Sequence, residues 1–143
     1  MKYRSLLILI SILFLSISCD NDGLNEQISF EILEEGNMSY SDMNKISKQY
    51  LIFENNNEWL EFIPEIEKVH SSTAERLNDL NFDFDKYDLG IVIGEFYNYC
   101  CSEITIKKVY TENNEIKIDF TESGPGGAAA LSQAYIILLI EKD

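Results

Sequence analysis

The chain has 143 residues, in which 25 acidic side chains face 11 basic ones for a formal charge of −14. That length allows one hydrophobic core and excludes two. That charge argues against nucleic acid and against direct approach to an anionic membrane surface, and favours solubility and, at most, basic or cationic partners.

Residues 1–18 read as an export signal. Lys2 and Arg4 precede an apolar run at 6–17, which has the length of a secretory h-region and falls short of the roughly 20 residues of a spanning helix. "SISC" at 16–19 resembles the lipobox of bacterial lipoproteins, with Ser16 where that motif usually has leucine. The resemblance implies cleavage before Cys19, diacylation of its sulfur and attachment to the membrane through lipid alone. An ordinary signal peptide with an incidental cysteine is the plainer alternative. Lipidation would place the protein in the bacterial cell envelope, on the outer membrane or cell surface. Residues 19–27 are polar and read as a tether, and 28–143 as a single domain.

Within that domain, 28–36 and 49–55 carry strand-like patterns. "NNNEWLEFIPEIEKV" then switches to helical period: Trp59, Phe62, Ile63 and Ile66 form one stripe, asparagines stand ready to cap it, and Pro64 is expected to break or bend it. Residues 70–80 are more weakly helical. "GIVIG" at 90–94 and "AYIILLIEK" at 134–142 are continuous apolar runs suited to strands buried on both faces. Between them, 103–110 and 115–122 form a hairpin, with Asn113 and Asn114 at positive φ in its turn. Four strands, 87–94, 103–110, 115–122 and 134–142, are expected as antiparallel neighbours. The fold class is therefore α+β: a mainly antiparallel, curved or barrel-like sheet with one helical segment, about 56–68, packed on it.

The order of signals resembles the C-terminal domain of the PrcB family, accessory lipoproteins of a bacterial surface protease complex. Gly36 with Ser39, Trp59, Asp83 or Asp85 before a strand, Gly94, and Pro125 with Gly126 carry the resemblance over about residues 30–143. After Gly94 the family usually has a proline-threonine-glycine-glycine-tyrosine loop, where this chain has "EFYNYCC"; Ala134 stands where the family has a proline. The resemblance implies an accessory role beside an envelope protease.

Residue types that would carry catalysis are sparse. His70 is the one histidine and reads as a solvated bystander. Aligned as a calcium loop from Asp83, the acidic run has Asp88 where glycine is required and Gly94 where glutamate is required. Asp83, Asp85 and Asp88 read instead as the exposed side of a strand entry, with Phe82, Phe84 and Tyr87 inward. "SGPGGAAA" lacks the Lys-Ser/Thr of a phosphate loop, so its glycines are assigned to turn geometry. No metal, cofactor or enzymatic activity is expected.

Cys100 and Cys101 are adjacent. A vicinal disulfide, two free thiols with one packed inward, and a redox centre all stay open, because adjacent Cα atoms across a trans peptide lie about 3.8 Å apart, below the usual disulfide range. Phe96, Tyr97 and Tyr99 read as core residues or as an exposed recognition patch. The expected partner-binding face joins loop 95–102, with those aromatics, to loop 123–133, with Gly124, Pro125, Gly126 and Gly127. The functional expectation is a lipid-anchored, non-catalytic binding module for another envelope protein, a protease being the implied class. A protease inhibitor and a small-ligand or glycan binder are the alternatives.

Overall fold

The computed structural model describes residues 26–39 and 45–142. The signal segment and Cys19 lie outside them. Among the described residues the fold is α+β, with two antiparallel sheets and two helices and no closed barrel. In chain order the elements are β1 (Gln27–Ile28), β2 (Phe30–Ser39), β3 (Gln49–Phe53), α1 (Asn56–Glu67), α2 (Ser71–Asn78), β4 (Tyr87–Tyr97), β5 (Glu103–Glu112), β6 (Glu115–Ser123) and β7 (Ser132–Glu141). One sheet has the order β2-β7-β4-β3 and the other β1-β5-β6. Gln27, read as the end of the tether, already pairs with Tyr110.

The larger sheet is the middle layer, which explains the two continuous apolar runs. On β4, Leu89, Ile91 and Ile93 join Trp59, Ile63, Ile66, Ala74 and Leu77 of the helices in one core. From the opposite face, Val92 on β4 and Ala134, Ile136, Leu138 and Ile140 on β7 meet Ile104, Val109 and Ile118 of the smaller sheet in a second core. A strand with apolar contacts on both faces has no polar face to alternate with. β5 and β6 cover one core only, so their outer faces stay polar.

The expected four-strand neighbourhood is therefore corrected. β4 pairs with β7 and β3, while β5 pairs with β6 and β1. The chain changes sheets between β4 and β5 and again between β6 and β7. Both crossovers fall at the same end of the molecule, because the hairpin turn between them reverses the chain once. That turn places Asn113 at φ 53° and Asn114 at φ 63°, as the asparagine pair requires.

The helices also differ from expectation. α1 starts where Asn55 accepts hydrogen bonds from the amides of Asn57 and Glu58, and it runs on through Pro64 without ending there. Pro64 and Leu60, the residue whose carbonyl loses its donor, are both exposed, so water can take the missing bond. α2 is a second helix, with Ala74 and Leu77 fully or nearly buried. Asp83 and Asp85 are exposed, whereas Asp88 is buried and ion-pairs with Lys142 at 3.0 Å.

Candidate functional site

The end of the molecule where the chain changes sheets begins with a bulge. Along β4 the register steps from Ile93 opposite Tyr135 to Phe96 opposite Gln133, so three positions on β4 advance against two on β7. One extra residue takes backbone groups out of the ladder and leaves them needing partners. Two side chains supply them. Gln133, fully buried, donates through Nε2 to the Gly94 carbonyl at 2.8 Å. The Glu95 amide donates to the Glu122 carboxylate, 2.9 and 3.1 Å from its two oxygens. Glu122 comes from β6 in the other sheet and also holds Lys48 at 3.2 Å. Gly94 is required for this clamp, since a Cβ there would collide with the Glu122 carboxylate.

Beyond the bulge, Phe96 and Tyr97 are strand residues and not part of a loop. β4 extends to Tyr97, Phe96 packs partly buried against the helix-side core, and Tyr97 is half-buried opposite Ser132. The bulge is the reason: it carries the strand past Gly94, where its apolar run ends. Tyr99 alone of the three is freely presented, at 53 % exposure.

The two crossovers are bonded to each other. The Cys100 amide donates to the Ala128 carbonyl at 2.8 Å, the Gly126 amide donates to the Cys101 carbonyl at 3.2 Å, and Ser132 Oγ donates to the Tyr99 carbonyl at 3.0 Å. Cys100 and Cys101 are joined as a vicinal disulfide across a cis peptide, with Cα atoms 3.0 Å apart. No described glycine has positive φ, which corrects the turn-geometry reading. Gly126 is needed for close approach, because a Cβ would lie 2.9 Å from the Cys100 carbonyl oxygen. Gly124 and Gly127 face open space, and Pro125 is half-buried.

A polar cluster lies on the helix side of the same strands. The Tyr135 hydroxyl donates to Glu34 Oε1 at 2.6 Å and accepts from Arg76 Nη2 at 2.6 Å, and Arg76 reaches the same Glu34 oxygen at 3.1 Å. Desolvation pushes the Tyr135 phenol up to about 12, with the Glu34 hydrogen bond acting in the same direction. Gly36, opposite Tyr135, leaves room for the ring: a Cβ there would sit 3.2 Å from it. His70 is half-buried, with Nδ1 2.7 Å from Thr73 Oγ1; burial, then the Arg76 charge, holds its imidazole below its ordinary value. These groups are committed to one another, and among the described residues no three His, Cys, Asp or Glu side chains gather as metal ligands.

Between the two sheets a cleft of about 350 Å³ opens beside the bonded crossovers, with Glu35 and Asn37 of β2 on one wall and Ser102, Glu103 and Ile104 on the other. Asn37 Nδ2 donates to the Ser102 carbonyl at 3.0 Å, tying the walls together at one end. Sequence reasoning missed this cleft, and it missed Gln133 and Glu122. The one available signal was an amide and a carboxylate at the ends of otherwise apolar or alternating strands.

What the geometry defines is an α+β domain whose two crossovers are hydrogen-bonded to each other at one end, with a side cleft beside them. Compared with known families, with curated proteins and with solved structures, the chain matches none.

Proposed function

We propose that this protein is a non-catalytic binding module of the bacterial cell envelope, tethered through lipid at Cys19, that holds another envelope protein on the face formed by residues 95–102 and 123–133. The observation that carries the reading is the pair of backbone hydrogen bonds joining Cys100 to Ala128 and Gly126 to Cys101. Connections that only link strands need no such bonding, whereas a pre-organised surface binds with less ordering cost. Tyr99 has half its surface open at this end, and the backbone of Gly124 and Gly127 on the other crossover is unencumbered. Tyrosine on a rigid base is favoured for partner recognition. The PrcB-like order of motifs makes a protease complex the partner class to test first.

The test is photocrosslinking in the native envelope, with the reactive residue at position 99 and, as a control, at exposed Leu60 on α1. A discrete adduct at 99, absent at 60 and identified by mass spectrometry as an envelope protein, is the expected result. Absence of any adduct at 97, 99, 125 and 127 would overturn the reading.

A further inference from the structure

We propose that the cleft between β2 and β5 takes a short extended peptide segment with a basic side chain, which adds to the open edge of β5. The proposal rests on the reading of the domain as a protein-binding module and names the chemistry of the segment bound.

The first observation is an edge without a neighbour. β1 pairs with β5 only at Val109 and Tyr110, so among the described residues no strand lies along 103–108 on that side. β2 leaves β1 and joins the other sheet, returning to β5 only where Asn37 bonds the Ser102 carbonyl. The slot between these two closures has strand backbone on both walls. Backbone donors and acceptors along an open edge are a template for an added strand.

The second observation is unpartnered polarity inside the slot. Ser102 is fully buried and its Oγ has no hydrogen-bond partner; Asn37 Oδ1 is likewise buried and unpartnered. Because Asn37 Nδ2 is used on the Ser102 carbonyl, the amide orientation is set and the atom left over is an acceptor. A buried acceptor beside a strand edge is complementary to an N–H donor.

The third is charge and period. Glu35 pairs with Ile136 and Asn37 with Ala134, so both side chains share the inter-sheet face with that apolar floor. Ile32, opposite Leu138 on the same face, is 45 % exposed. The cleft therefore offers the Glu35 carboxylate above an apolar floor of Ala134 and Ile136, which suits a segment carrying a basic side chain among apolar ones. Lys107, exposed farther along β5, keeps the basic side chain at the Glu35 end. The chain's own Asp20, Asp22 and Glu26 are uncomplementary to this mouth, and a second copy of so acidic a chain would be repelled by it.

The probe is a blocked heptapeptide alternating valine and arginine, added to the full chain in detergent. Its counterparts are the same peptide with glutamate for arginine, and argininamide alone. Expected are binding by the arginine peptide with slowed hydrogen exchange at amides 103–108, at least tenfold weaker binding by the glutamate peptide, and at least fivefold weakening in the variant E35Q. Ser102→Ala is the sharper variant: it removes an unpartnered buried oxygen, so the melting temperature holds or rises while peptide affinity falls at least threefold. No binding at millimolar peptide, equal binding of both peptides, or argininamide binding as well as the peptide without protection at 103–108 each overturns the proposal. If the peptide fails while position 99 still crosslinks to a partner, this inference falls and the module reading stands. Failure of both removes both.

Discussion

Gly126 sits so close to Cys100 that no side chain fits between them: a Cβ at 126 would lie 2.9 Å from the Cys100 carbonyl oxygen, and that oxygen belongs to backbone, which cannot swing away. The contact is what allows the two crossovers between sheets to exchange hydrogen bonds.

Gly126→Ala is therefore expected to destabilise the domain by about 1–3 kcal/mol, the range for overpacking a fitted site, and to speed hydrogen exchange at the Cys100 amide. Gly127→Ala provides the contrast. Nothing lies within 4 Å of a Cβ at 127 and its φ is not positive, so alanine there should be neutral or add up to about 1 kcal/mol by restricting the unfolded chain. Urea denaturation of both variants checks the pair, and equal effects would remove the close-approach argument.

The aromatics of this region should separate in the same way. Phe96 packs against the helix-side core, so Phe96→Ala should cost about 2 kcal/mol or more in stability. Tyr99 is 53 % exposed, so Tyr99→Ala should stay within about 0.5 kcal/mol of wild type while weakening partner capture by about 1–2 kcal/mol. Melting curves run beside quantitative capture decide it; a large loss of stability at 99 would assign that ring to packing.

Much of the fold was legible because burial writes itself into periodicity. β4 and β7 are apolar throughout since they lie between two cores, and β5 and β6 alternate since they cover one. Pattern alone does not state which strands pair, and sequential adjacency suggested a single sheet where there are two. The bulge was illegible for a related reason. Whether Gly94 and Glu95 lose their ladder partners depends on register across 39 positions of chain, and only then do Gln133 and Glu122 acquire a purpose. Meeting of the two loops was expected for the right end of the molecule, although through crossovers between sheets and not through neighbouring strands of one. Phe96 and Tyr97 were misplaced because a strand continuing past a bulge has no local signature.

Cys19 leads to a prediction independent of the fold. The basic start, the short apolar run and the small residue before Cys19 resemble a lipidation signal, with Ser16 where leucine is usual. Cys19→Ala should move the protein from the detergent phase to the aqueous phase on phase partitioning, because two or more acyl chains are needed for a stable hold and none would remain. A variant that stays with the membrane would remove the lipid anchor from the account.

Tyr135 supplies a prediction on the alkaline side. Its phenol is buried, donates to Glu34 and is pushed up to about 12, above the ordinary value of 10.0 that an exposed tyrosine keeps in the unfolded chain. Between these values the unfolded state loses its phenolic proton while the folded state retains it. Fewer protons bound by the unfolded state mean that stability falls as pH rises. The Tyr135 contribution is thus fully present below pH 10 and lost as pH climbs toward about 12. Tyr135→Phe should cost about 1.5 kcal/mol at pH 7, where a hydrogen bond to a charged group is removed, and it should flatten the decline between pH 10 and 12. Urea midpoints at pH 8, 10 and 11 for both proteins provide the check. Parallel declines in wild type and variant would mean that another group carries the alkaline loss, and that the Glu34 hydrogen bond does not hold the phenolic proton in the folded state.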